Sequence, residues 1–310
     1  MPSRPLTSPA LGWPQLLLAL AIVAVWGSNF VVIKLALGHL PPLLFATLRF
    51  MLAAVPMVFV LRRPAVPWRN LAAYGVLIGV GQFGMLYIAL NGLIAPGLAS
   101  LVVQSQAFFT IGLAMWLSGE RLQPPQALAL ALSVAGIGVI AAHTGKATTI
   151  AGLLLVLVAA LGWAGGNIVQ RATPAVNMLS YVVWSSLFAV PPLLLLSLVV
   201  EGPARIGAAL AGASLATWGA VAWQAVGNTM FGYAAWGWLL GRYPAATIAP
   251  LALLVPVFGM GSAAWWLAEP LPLWKLGAAA LVISGLALNL LWPQLVRRLR
   301  PGATVQAAVE

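Results

Sequence analysis

The sequence predicts an all-α membrane protein of ten transmembrane helices, built as two five-helix repeats of inverted topology with both termini inside. Three observations carry this prediction. The composition is apolar with few charges, ten apolar runs are each long enough to cross a bilayer, and short residue patterns recur in the two halves of the chain.

Of the 310 residues, 62% are hydrophobic and 6% charged, far below the roughly 25% charged residues of a soluble domain. The formal net charge of +11 does not mark a nucleic-acid binder, because the basic residues stand singly or in short clusters between apolar runs. Cysteine and Asp are absent, which removes disulfides and thiolate metal sites. No metal or other cofactor is expected. The expected partners are a small-molecule substrate and membrane lipid, with no nucleic acid and no obligate protein partner.

A helix needs about 20 apolar residues to cross the hydrocarbon core. The expected spans are Trp13–Leu37, Pro41–Leu61, Leu71–Asn91, Pro96–Ser118, Pro125–His143, Ile150–Gln170, Val176–Val200, Ala216–Leu240, Pro244–Ala268 and Leu271–Leu291. The first run is too long for a signal-peptide core and is read as a retained helix. Short connections make consecutive spans antiparallel neighbours, and the longest connection runs from Glu201 to Leu215. The chain divides into a cytoplasmic segment 1–12, a first repeat 13–143, a second repeat 150–292 and a solvated cytoplasmic tail 293–310.

Orientation follows from the positive charges, which collect on the cytoplasmic side. With the N-terminus inside, ten arginines fall on inner segments: Arg4, Arg62, Arg63, Arg69, Arg121, Arg171, Arg242, Arg297, Arg298 and Arg300. Only Lys34, Lys146, Arg205 and Lys275 fall on the outer side. This implies a multi-pass protein of a bacterial-type inner membrane.

The repeat is read from four pairs of matches in the same order. Leu52–Pro56 matches Leu187–Pro191, and Trp26 with Lys34 matches Trp163 with Arg171. Val80-Gly81-Gln82 with Tyr87 matches Val226-Gly227-Asn228 with Tyr233, and Glu120 with Gly136 matches Glu269 with Gly285. The separations are 135, 137, 146 and 149 residues. Each copy holds an odd number of helices, so the second enters the membrane from the opposite side, as in secondary transporters with a midplane site.

Trp26-Gly27-Ser28-Asn29-Phe30 with Lys34, Leu48-Arg49-Phe50, Gly119-Glu120-Arg121-Leu122, Gly136-Ile137, Glu269-Pro270-Leu271 and Gly285 resemble the drug/metabolite transporter superfamily, specifically its ten-helix EamA family. The resemblance covers nearly the whole chain. It implies a small-metabolite transporter, often an exporter, working through a cavity between the halves. Amino acids are the leading class, with the aromatic amino-acid exporter branch the nearest comparison. The alternatives are export of purines, cationic drugs or other metabolites, an intramembrane enzyme on lipid or isoprenoid substrates, and a lipid scramblase. An enzyme is disfavoured because no Asp, Cys or His pair is visible.

Polar side chains in lipid are costly unless they meet partners or water. The expected substrate-binding set is therefore Trp26, Asn29, Phe30, Gln82, Tyr87, Ser100, Gln104, Trp163, Asn167, Gln224, Asn228 and Tyr233. The competing reading for the amides is hydrogen bonding between helices, and for the two tyrosines interfacial anchoring. Trp184 is also placed on the substrate path, whereas Trp13, Trp68, Trp218, Trp274 and Trp292 read as interfacial belt residues. Arg49 lies about 12 Å along its helix from Pro41. Because the second helix is peripheral in the resembled family, Arg49 is expected to cap backbone carbonyls or snorkel rather than to bind a substrate carboxylate. Lys34 and Arg171 are expected to snorkel as well. With no acid inside a span, transport is expected to be facilitative. Pro56, Pro191, Pro192, Pro250 and Pro256 are expected to interrupt helices. Gly27, Gly81, Gly84, Gly165, Gly166, Gly227 and Gly232 are expected to allow close packing.

Overall fold

A computed structural model describes residues 11–118, 123–173 and 176–299. The expected motif Gly119–Leu122, with Glu120 and Arg121, lies outside the described residues. So do Arg4 and Arg300, while the side chains of Arg297 and Arg298 are likewise undescribed.

Every regular element among the described residues is helical. The spans are α1 (Trp13–Ala36), α2 (Pro42–Phe59), α3 (Trp68–Leu90), α4 (Pro96–Leu117) and α5 (Pro124–Ala142), then α6 (Ile150–Arg171), α7 (Met178–Glu201), α8 (Leu215–Leu240), α9 (Ala249–Leu267) and α10 (Leu273–Leu299). Nine helices among the described residues are long and apolar enough to cross a membrane. The remaining span, α8, is diluted by Gln224, Asn228 and several glycines, and meets that measure only when joined to the short helix Pro203–Ala211, from which it bends by 106°.

The Glu201–Leu215 connection holds the short helix Pro203–Ala211, which Pro203 starts at a position where a missing N–H costs nothing. The candidate span of α10 ends at Trp292, and the helix continues beyond it to Leu299. α7 is not interrupted at Pro191 and Pro192: it stays helical from Met178 to Leu196 and then widens into a π turn at Ser197–Glu201. Pro250 does fall in a 3-10 segment, Ala249–Leu254, and Pro256 opens the helix that follows it.

The packing has the same form in both halves. α1 lies against α8 and α9, and α6 lies against α3 and α4. α2 pairs with α7, and α5 pairs with α10. Small residues set these distances, as lipid provides no hydrophobic force between helices. A Cβ on Gly136 would meet the Ala278 carbonyl at 2.9 Å, and a Cβ on Gly285 would meet the Ala129 carbonyl at 2.5 Å. Gly136 and Gly285 are separated by 149 residues, as are Ala129 and Ala278. In α3 and α6, a Cβ on Gly162 would lie 2.6 Å from the Gly81 carbonyl carbon.

Two glutamates fasten helix starts. Glu201 accepts from the Leu43 and Leu44 N–H groups at 2.6 and 2.9 Å, at the start of α2. Glu269 accepts from the Gly97 N–H at 3.0 Å, at the start of α4, and pairs with Lys275 at 2.8 Å. Both carboxylates thus satisfy free N–H groups and complement the positive ends of the helix dipoles.

Two glycines of α5 separate packing from propensity. Gly136→Ala should lower stability by about 1–3 kcal/mol because backbone must move. Gly138→Ala, with open space at its Cβ, should be neutral or slightly stabilising. Thermal unfolding in detergent checks both, and equal effects would contradict the packing account.

Candidate functional site

The backbone is irregular where α3 and α8 approach the centre. α3 contains a π-helical stretch, Leu77–Gly84, and α8 contains another, Trp223–Phe231. The 146-residue offset that relates Gln82 to Asn228 carries the first stretch onto residues 223–230. A π turn holds an extra residue, which widens the helix and re-aims its side chains, and such turns are frequent at functional sites.

A chain of hydrogen bonds crosses the bundle here. Arg49 donates from Nη1 to the Tyr87 hydroxyl at 3.0 Å and from Nη2 to Thr229 Oγ1 at 2.9 Å. Tyr87 donates to Gln224 Oε1 at 3.1 Å, and Gln224 Nε2 donates to Asn29 Oδ1 at 2.6 Å. Thr229 donates to the Gln224 backbone carbonyl at 2.9 Å. The donors all run away from the guanidinium, so its charge polarises each bond in the same sense. α1, α2, α3 and α8 are thereby joined through their interiors.

Arg49 is 1% exposed and does not snorkel. Its guanidinium lies 3.9 Å from the Phe83 ring centroid and 4.9 Å from that of Phe50, within cation–π range. Its Nε–H is buried without an acceptor. No acid pairs with it among the described residues, where Glu201 and Glu269 serve the helix starts described above. The expectation that Arg49 caps carbonyls or reaches an interface is therefore corrected: both bonded nitrogens meet side-chain hydroxyls deep in the bundle.

Arg49 also forms part of a cavity wall among α2, α3, α7 and α8. The cavity has room for roughly one water. Phe50, Ile78, Phe83 and Val182 line it together with Tyr74, Ser185, Ser186, Thr229 and Tyr233, and the surface that faces it is apolar. Ser185 Oγ is buried and has no partner.

The structure gathers only some of the expected residues. Asn29, Tyr87 and Gln224 join the network. Trp26 donates to the Asn228 carbonyl at 3.2 Å and tilts against Tyr233 at 5.9 Å, and Tyr233 also lines the cavity. Tyr87 is wholly buried and is no interfacial anchor. Gln82 is buried, but its Oε1 has no partner, and nothing in the structure explains this. Phe30 packs in the core, Ser100 bonds within its own helix to the Gly97 carbonyl, and Gln104 sits in a 3-10 turn. Asn167 belongs to a separate cluster, donating to Gln106 and Thr110 at 2.9 and 3.1 Å, and Trp163 packs half-buried against the core. Trp184 is away from the cavity, its indole bonded to the Leu61 carbonyl and tilted against Trp68. Lys34 is half-buried and donates to the Leu90 carbonyl at 3.2 Å. Thr229, Ser185 and Tyr74 were not singled out from the sequence, because one hydroxyl in an apolar run carries no periodic signal.

An apolar helical bundle with a buried polar core between its halves defines a polytopic membrane protein of the transporter type. The model of the EamA-like transporter family matches residues 13–142 and again 150–291, and the chain belongs to that family. A protein of Salmonella typhimurium named "Probable amino-acid metabolite efflux pump" is 44% identical, covering 88% of this chain and 93% of the relative. A protein of the same name from Escherichia coli is 42% identical with the same coverage. A solved crystal structure, 19% identical, superposes with a TM-score of 0.61 over 89% of this chain and 97% of its own, which shows the shared fold.

Tyr87→Phe should lower stability by about 1–3 kcal/mol, as it leaves Arg49 Nη1 and Gln224 Oε1 short of a partner in a dry interior. A thermal melt unchanged from the parent would show that the network is not continuous.

Proposed function

We propose that this protein exports amino acids and related metabolites across the inner membrane, by facilitative alternating access between two inverted five-helix repeats. The observation that carries the proposal is the Asn29–Gln224–Tyr87–Arg49–Thr229 network. It ties both family-matched segments together through groups that orient a polar solute. The names of the two close relatives support the solute class. The matched packing, the π stretches at equivalent places and the double family match support the repeat. The proposed arrangement puts both termini in the cytoplasm, following the bias of arginines described above.

Transport is a movement between states, and the cavity must enlarge to admit a solute. α3 and α8, with their widened turns, are the elements proposed to shift. The sequence has no Asp, and the described glutamates are engaged at helix starts, so a carboxylate proton relay has no group among the described residues. The proposal is therefore a carrier driven by its solute gradient or by exchange. Among the alternatives, organic cations fit poorly beside an uncompensated guanidinium.

Uptake of labelled amino acids into liposomes holding the purified protein tests this. Saturable uptake without an ion gradient is expected, reduced about tenfold or more in Gln224→Leu, by loss of a buried polar contact. Uptake that requires a pH gradient would refute the facilitative mechanism, and no uptake of any amino acid would refute the solute class.

A further inference from the structure

Among the described residues Arg49 has no counter-charge. The residue is 1% exposed and lines the cavity, its two terminal nitrogens meet neutral hydroxyls, and its Nε–H is buried without an acceptor. Ser185 lines the same cavity, and its Oγ is also buried without a partner, so both polar atoms are covered until the cavity opens. The remaining walls are mostly apolar or aromatic.

We infer that Arg49 is the carboxylate-recognition group of the transport path. The solute's carboxylate accepts from Arg49 Nε–H and Ser185 Oγ–H, and supplies the counter-charge that no described residue holds. A carboxylate has two acceptor oxygens for these two donors and a negative charge for the guanidinium, a combination that an ammonium or a neutral amide lacks. In a low-dielectric site a cationic amine near Arg49 is repelled, so the carboxylate is the obligatory part of the solute and the amino group is not. The apolar side chain of the solute rests against Phe50, Ile78, Phe83 and Val182 as the cavity opens. This inference rests on the amino-acid reading only for which carboxylate is carried.

Ligand-dependent thermal shifts of the purified protein test it. The twenty amino acids and three simple monocarboxylates (acetate, lactate and benzoate) are screened. The best binder is then compared with its amide, its decarboxylated amine and, for an amino acid, its deaminated acid. The deaminated acid should retain binding, and the amide and amine should bind about 10- to 100-fold more weakly. Arg49→Lys should weaken the carboxylates to a similar degree, and Ser185→Ala to a lesser one. Should Arg49→Lys fail to fold, the analogue series on the parent protein and Ser185→Ala decide. Binding of a monocarboxylate but of no amino acid, dependent on Arg49 or Ser185, would refute the amino-acid reading and uphold this inference. An amide or amine that binds as well as its acid, or no binding by any carboxylate, would overturn the inference.

Discussion

A guanidinium held in the middle of a membrane protein, with no anion beside it among the described residues, constrains everything around it. Placing an Arg at the centre of a spanning helix costs roughly 2.5–3.5 kcal/mol on insertion scales. Arg49 is met by two hydroxyls and two aromatic faces, contacts that offset part of that cost. To supply them, α3 must bring Tyr87 and Phe83 to α2, and α8 must bring Thr229. Gln224 and Asn29 then complete the bonding of Tyr87, which draws in α1. The contacts of one side chain thus set the relative placement of four spans.

Close packing around this centre comes from small residues. Gly81 and Gly162 let α3 and α6 touch backbone to backbone, and Gly136 and Gly285 do the same for α5 and α10. The two contacts differ in context. The α5–α10 pair meets regular helix against regular helix, whereas Gly81 lies within a π stretch. A regular helical pair is suited to stay fixed, and a widened helix has more freedom to change its turn. That division agrees with a carrier that keeps one pair of helices together while others part.

The spans were legible in the sequence because length and apolarity alone define them. Trp13, Pro96, Ile150 and Leu240 fall at the expected ends. α10 ran on past residue 293 because Arg297 and Arg298 are compatible with a helix emerging from lipid, where hydropathy no longer marks its end. Pro191 and Pro192 misled in the same way: a local rule predicts a break, and the surrounding bundle keeps the helix. The amides Asn29 and Gln224 and the hydroxyl of Tyr87 were legible as costly polar groups. Their pairing was not, since those contacts join residues 137 and 195 positions apart. The resembled family's architecture put α2 at the periphery, and this hid the role of Arg49. The glycine offsets were readable, whereas the π stretches leave no mark in residue type.

The central claim is that the charge of Arg49 is completed by the transported solute. The most direct measurement is a structure of the protein with its best-binding carboxylate bound. The account predicts a carboxylate oxygen about 3 Å from Arg49 Nε, with α2 and α3 moved away from α7 and α8. A bound solute whose carboxylate rests on another group, while Arg49 keeps only its Tyr87, Thr229 and aromatic contacts, would contradict it.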